Sequence, residues 1–178
     1  MYRYGGRVVP SVTQVLSIIS ANDFTYVDED VLERSRSLGK HVHAMIDLDN
    51  KGELDEDALD PKLAPYLDQW RHFLSESGFK VIGSEQQVYH KLLDYAGTCD
   101  TLIGQGTSWV LDIKTSATLP KKTVGPQLAA YQAALEPRPR RRLCLMLTSH
   151  NYRLHECKDL KDFALFQSCL NIWRHLNG

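Results

Sequence analysis

The stretch from Tyr95 to Ser116, Y-A-G-T-C-D-T-L-I-G-Q-G-T-S-W-V-L-D-I-K-T-S, constrains this chain more than any other. Gly97–Ile103 and Ser108–Thr115 are rich in strand-forming residues, and Gly104-Gln105-Gly106-Thr107 supplies the positive-φ positions that a tight connection needs. The segment therefore reads as a hairpin. A three-residue loop centred on Gly106 sets Asp100 directly across from Asp112. Side-chain alternation then puts Lys114 on the face of Asp112, with Leu111 and Ile113 on the other. A two-residue loop would instead pair Asp100 with Leu111 and send the two acids to opposite faces.

Carboxylates opposed across neighbouring strands repel, so the first register needs compensation. A divalent cation supplies it. Asp100 and Asp112 offer the hard oxygen ligands that Mg²⁺ prefers and leave coordination positions for water and a phosphate oxygen. Lys114 beside such an ion could stabilise negative charge on an attacking hydroxide or on phosphoryl oxygens. A solvent-facing Asp-x-Lys on a hairpin is also an ordinary pattern, and that reading stands beside the catalytic one.

Glu85 falls in the strand-like segment Lys80–Val88, placed to form a third neighbouring strand. Downstream, Gln127-Leu128-Ala129-Ala130-Tyr131 is made of good helix formers, with Gln127 and Tyr131 on one helical face at i, i+4. The order Glu85, Gly-Thr-x-Asp ending at Asp100, Asp112-Ile113-Lys114-Thr115-Ser116, Gln127-x-x-x-Tyr131 resembles the PD-(D/E)XK nuclease superfamily, and within it the RecB-type branch. That branch carries an upstream helical His after Gly-x-x-x, which Gly39 and His43 match. Val9-Pro10-Ser11-Val12-Thr13-Gln14-Val15-Leu16 further resembles the opening of the phage-type and mitochondrial genome maintenance exonucleases.

The resemblance implies an α/β fold with a restriction-endonuclease-like core: a mixed sheet of about five strands flanked by helices, behind a helical N-terminal portion. One nuclease domain would span 1–178, mainly helical over 1–78 and sheet-containing over 79–178. It implies Mg²⁺- or Mn²⁺-dependent hydrolysis of DNA phosphodiesters, as an exonuclease on single-stranded or end-opened DNA in recombination, repair or phage DNA processing. His43, Asp100, Asp112 and the Ile113 carbonyl would hold the metal, with Glu85 in support. Lys114 would position or polarise the attacking water, and Gln127 and Tyr131 would orient Lys114 and the scissile strand. Ser11, Thr13, Arg36, Lys40, Thr115, Ser116, Lys121, Lys122 and Tyr131 are the expected DNA contacts. A recombination or replication protein is a conceivable partner. Some RecB-type nucleases hold an iron–sulfur cluster through one cysteine before the core and three after it. Here no cysteine precedes Cys99, so no cluster is expected.

A chain of 178 residues suffices for one well-filled core and is short for two ordinary domains. No apolar run reaches membrane-spanning length, and the first residues lack a signal peptide's apolar segment, so the expected location is cytoplasmic, in a bacterial or phage-infected cell. Cys99, Cys144, Cys157 and Cys169 form no C-x-x-C pair and read as buried reduced thiols. A net charge of −1 counts against nucleic-acid binding, but the charge is segregated. Acid gathers between Asp28 and Asp60 and base at Lys121-Lys122 and Arg138–Arg142, a pattern equally consistent with solvated surface or with a cleft basic on one side.

Along the chain, residues 1–10 read as an extended lead-in with Arg3 and Arg7 open to a ligand. Ser11 either caps a helix over Val12–Ile19 or touches phosphate. A link containing Asn22 and Asp23 leads to a helix over Asp28–Leu48, buried through Val42, Met45 and Ile46, with His41 on a different face. Pro61–Ser77 is a helix whose Trp70 and Phe73 follow the core period rather than a base-stacking one, and Gly78 ends it. Prolines after Ser116 keep a helix from starting before Gln127, where Tyr131 is either functional or a half-buried core residue. Leu143–Thr148 is a buried strand, Tyr152–Glu156 another with Leu154 inward, and Asp162–Leu176 a closing helix. Besides the exonuclease, a structure-selective endonuclease, an RNA-directed nuclease, a non-catalytic DNA-binding or assembly module and a protein with merely solvated hairpin acids remain as readings.

Overall fold

The computed structural model describes residues 2–20 and 28–177; the expected link at Asn22 and Asp23 lies outside them. The Gly106 turn sets the architecture. Strands β4 (Tyr95–Gly104) and β5 (Ser108–Lys114) close on a three-residue loop with Gly104 opposite Ser108, and Gly106 takes φ +79°. The three-residue loop is the one that would set Asp100 across from Asp112, but the pairing stops at Thr101–Leu111, one step short of the two acids. β3 (Lys80–His90) pairs antiparallel on the other side of β4, with a register shift between Val81 and Gly83. β6 (Arg141–Leu147) runs parallel to β5 and β7 (Tyr152–Glu156) antiparallel to β6, giving a five-stranded mixed sheet in the order β3-β4-β5-β6-β7. The α/β class and the mixed five-stranded sheet are thus as the sequence indicates.

Each face of the sheet builds its own core. Helices α1 (Val12–Ser20), α4 (Val124–Ala134) and α5 (Asp162–Asn177) cover one, where Val12, Val15, Tyr95, Leu128, Cys144 and Phe166 pack together. Helices α2 (Glu29–Lys51) and α3 (Ala64–Ser77) cover the other, where Val42, Ile46, Trp70 and Phe73 meet Ile103, Leu111 and Ile113. The N-terminal helices are therefore divided between both faces rather than gathered in one layer over the cleft. Trp70 and Phe73 are core residues, 0% and 1% exposed.

Caps fix the helix ends. Ser11 Oγ accepts from the Gln14 N–H at 3.1 Å while Gln14 Oε1 accepts from the Ser11 N–H at 2.9 Å, a reciprocal pair that satisfies two otherwise orphaned donors. Asp28 caps α2, and Gly78 ends α3 at φ +67°.

Several expectations need correction. The first residues form a small hairpin of their own, β1 (Tyr2–Tyr4) and β2 (Arg7–Val9), turned by Gly5 and Gly6 at φ +56° and +79°. That dipeptide is the usual signal for a two-residue turn. Arg7 pairs with Asp94 at 3.3 Å while its side chain stays 70% exposed. Helix α4 starts at Val124, three residues before Gln127. Pro126 lies in its first turn, where the missing N–H would have had no intrahelical acceptor. Leu154 is 41% exposed on the outer strand rather than inward. Cys157 is only half-buried; the other three thiols are buried.

Candidate active site

The site lies where β4 and β5 reach their Asp100 and Lys114 levels, under α2. Inward-facing residues alternate regularly along β4 from Tyr95 to Cys99, but Leu102 packs with Cys99 on one face while Ile103 lies on the other. The alternation therefore slips once around Asp100. Across from it on β3, Glu85 takes φ +47°, a strained value for a non-glycine residue. Freed from the regular ladder, Asp100 turns its carboxylate along the sheet, and Oδ2 accepts from the Ile113 N–H at 2.9 Å.

His43 comes down from α2 onto this point. Its Nε2 is 2.9 Å from the Ile113 carbonyl oxygen, and its Nδ1 lies 3.6 Å from Asp100 Oδ2 and 3.8 Å from Glu85 Oε1. Gly39, one turn earlier, lies against the strand end: a Cβ there would be in ordinary contact with Thr115 Oγ1 at 3.4 Å. Gly39 and His43 at i, i+4 share the face of α2 that meets the β5 end. Burial disfavours a charged imidazole, but the Glu85, Asp100 and Asp112 carboxylates outweigh it and raise His43 to about 9. The ligand atoms of His43, Glu85 and Asp100 all lie within 4.8 Å of one another. Two carboxylates and an imidazole, each still partly open to solvent, suit a hard divalent cation of the Mg²⁺ or Mn²⁺ type.

Asp112 belongs to a second group, on the α4 side. Its carboxylate is 1% exposed and receives the Lys114 ammonium at 3.0 Å and the Gln127 amide at 2.9 Å. Burial pushes Asp112 up against the pull of Lys114. Burial would lower Lys114, but Asp112 and Asp100 raise it overall, which favours the ammonium form. Gln127 also donates to the Tyr131 hydroxyl at 3.3 Å. A Cβ on Gly97 would come within 2.6 Å of the Tyr131 ring, so the glycine makes the space in which that ring sits.

The structure thus brings His43, Glu85 and Asp100 together as one donor set, with Asp112, Lys114, Gln127 and Tyr131 as a network beside it. The Ile113 carbonyl joins the first set through His43. Gln127 is anchored to Asp112 rather than to Lys114, and Tyr131, 3% exposed, stands behind Asp112 rather than on the cleft wall. Thr13, Arg36 and Lys40 line a cleft of about 810 Å³ with His43, Asp100 and Lys114. Ser11 is engaged in its cap, Ser116 donates to the Thr118 carbonyl, and Lys121 and Lys122 precede α4 outside the cleft lining. Asp47, not singled out in the sequence, also lines the cleft. Its Oδ2 pairs with Lys51 at 2.6 Å while Oδ1 is buried without a partner among the described residues. Its spacing of four from His43 on an established helix is the signal that could have found it.

No protein-family model and no curated protein sequence matches the chain. In three dimensions it is similar to SSO0001, with a TM-score of 0.52 at 14% identity over 99% of this chain and 78% of that one. It is also similar to LHK-Exo, an alkaline exonuclease from Laribacter hongkongensis, with a TM-score of 0.49 at 13% identity over 76% and 77% of the two chains. Against LHK-Exo in complex with dAMP the values are 0.50 and 12%, over 94% and 86%. The fold is therefore one shared with an exonuclease.

Proposed function

We propose that this chain is a metal-dependent deoxyribonuclease of the PD-(D/E)XK superfamily, RecB-type branch. It works as an exonuclease on single-stranded or end-opened DNA. The observation that carries the reading is the convergence of His43, Glu85 and Asp100 beside the Lys114 ammonium in a cleft that also presents Arg36 and Lys40. The shared fold supports it, and the dAMP in LHK-Exo is a mononucleotide of the kind an exonuclease releases.

His43, Glu85 and Asp100 would hold Mg²⁺ or Mn²⁺, with Asp112 behind Lys114 as a further carboxylate. Bound there, the ion supplies Lewis acidity toward a phosphoryl oxygen and lowers the pKa of a water. Lys114 places a fixed positive charge at the mouth of the site, where it stabilises charge developing on the phosphoryl oxygens. Asp112 and Gln127 keep that ammonium pointed, so it need not reorganise during the reaction. Arg36 and Lys40 take flanking phosphates, and Thr13 offers a hydroxyl to the same backbone. In-line attack on phosphorus leaves a 5′-phosphate and a 3′-hydroxyl. The cellular setting that fits is DNA recombination, repair or phage DNA processing in the cytoplasm.

Wild type and Lys114→Ala should be compared on 5′- and 3′-labelled linear single strands, duplexes and circular single strands, in Mg²⁺, Mn²⁺ or EDTA. Metal-dependent loss of linear strands alone, abolished by the substitution, is the expected result. Cutting of circles would replace the exonuclease with an endonuclease. No cleavage by wild type of any substrate would sink the enzyme reading.

A further inference from the structure

At the opposite end of the sheet from the catalytic cleft lies a second cavity, of about 560 Å³, lined by Lys80, Ile82, the Gly104–Ser108 turn, Arg138 and Arg140. No carboxylate lines it. The arginine-rich segment before β6 is split by its surroundings. Arg141 stacks over Trp109 at 4.8 Å and pairs with Glu156 at 3.6 Å, and Arg142 is buried on Asp162 at 2.8 Å. Arg138 and Arg140 are exposed and have no acidic partner among the described residues, and the same is true of Lys80. Within the run Arg138–Arg142, the two charges without an acidic partner among the described residues are thus the ones that line the groove, where Lys80 from the start of β3 joins them.

The groove connects to the catalytic cleft along one strand. β3 is an edge strand, with Glu85 in the cleft lining and Ile82 and Lys80 in the groove lining. Gly104 makes room there, since a Cβ on it would meet Ile82 Cδ1 at 2.6 Å. Five residues of strand span roughly 16 Å, which is about five nucleotides of a single strand held stacked at the ~3.4 Å rise it has in a duplex.

We propose that Lys80, Arg138 and Arg140 form a second phosphate-binding site that grips the backbone of a nucleic-acid strand about five nucleotides from the catalytic centre. The strand runs along the exposed edge of β3. The spacing rests on the nuclease reading; the groove's affinity for a strand does not. Each cation at a single-stranded backbone contributes roughly 0.7 to the slope of log affinity against log salt, so the three together contribute about 2.

The test is fluorescence anisotropy with a labelled 20-mer and a labelled tetranucleotide, over a salt series, for wild type, the triple variant Lys80→Ala/Arg138→Ala/Arg140→Ala, and the charge-keeping Arg138→Lys/Arg140→Lys. The expected result is a salt slope smaller by about 2 and at least a tenfold loss of 20-mer affinity in the triple variant. The loss should be far smaller on the tetranucleotide, with the slope kept in the lysine variant and unaltered far-UV circular dichroism in both. Wild-type affinity and slope in the triple variant would overturn the proposal, and so would poly-glutamate binding as tightly as the 20-mer through the same three residues. If wild type cleaves no DNA yet the triple variant loses the 20-mer, the nuclease reading fails and the groove stands. If wild type cleaves and the triple variant binds normally, the groove fails alone.

Discussion

Raising the pH from 7 to 8.5 should strengthen Mn²⁺ binding by more than an order of magnitude, and the reason lies in one imidazole. His43 keeps its proton to about 9 because Glu85, Asp100 and Asp112 surround it, despite the burial that opposes the charge. A cation coming to Nδ1 must displace that proton. At pH 7, two pH units below the His43 value, the competition weakens binding about 100-fold relative to pH above 9, and each pH unit recovered is worth about 1.4 kcal/mol. The same raised value has a sign for the metal-free fold. Its stabilising contribution, of order 3 kcal/mol, is fully present below pH 6.5 and is lost as the pH rises through about 9. Calorimetric titration with Mn²⁺ at pH 7.5, in HEPES and in Tris, should show close to one proton released per ion. His43→Gln should abolish that release and weaken binding. Wild-type affinity that stays flat from pH 7 to 8.5, or heats identical after correction for zero protons, would refute the account of His43 as a protonated ligand awaiting exchange.

Asp112→Asn should lose both activity and stability, the latter by about 3 kcal/mol in urea denaturation, because it strands the largely buried Lys114 ammonium without its carboxylate. The double change Asp112→Asn/Lys114→Met should recover most of that stability while cleaving nothing; failure to recover would deny that the pair is the cause. Glu85→Gln, at a side chain 37% exposed, should weaken Mn²⁺ binding about tenfold or more by calorimetry and barely move the thermal midpoint. Gly97→Ala should cost about 1–3 kcal/mol through the Tyr131 ring, read from the urea midpoint together with loss of the tyrosine's near-ultraviolet signal.

Much of the site was legible because short-range chemistry determines it. Two glycines marked the hairpin and left two-residue and three-residue loops open, strand alternation put Lys114 on the face of Asp112, and helical spacing joined Gln127 to Tyr131. Gly39 with His43 was read instead from the resemblance to the RecB-type branch. What escaped depends on contacts distant in sequence. Nothing local says that the β4 alternation slips at Asp100, which lets Asp100 join Glu85 and His43 while Asp112 goes to Lys114 and Gln127. The burial of Asp112 also means that its removal costs stability, a cost that a purely solvated or purely metal-binding acid would not carry. Likewise, the run Arg138–Arg142 looks uniform in sequence, and only Asp162, Trp109 and Glu156 divide it into spent and unspent charge. The Gly5-Gly6 hairpin and the early start of α4 were written in local signals, a turn dipeptide and a first-turn proline.

Arg142 reaches the Gly125 and Asp159 carbonyls and the Asp162 carboxylate at once, and Gly125 lies so close to Asp162 that a Cβ would come within 2.6 Å of its oxygens. Gly125 opens the helix that carries Gln127, and Asp162 opens the last helix of the chain. One guanidinium therefore latches the C-terminal helix to the segment that steadies Asp112. Strain applied at α5 has a short mechanical route to the candidate site: two helix starts, one latch, one amide and one acid.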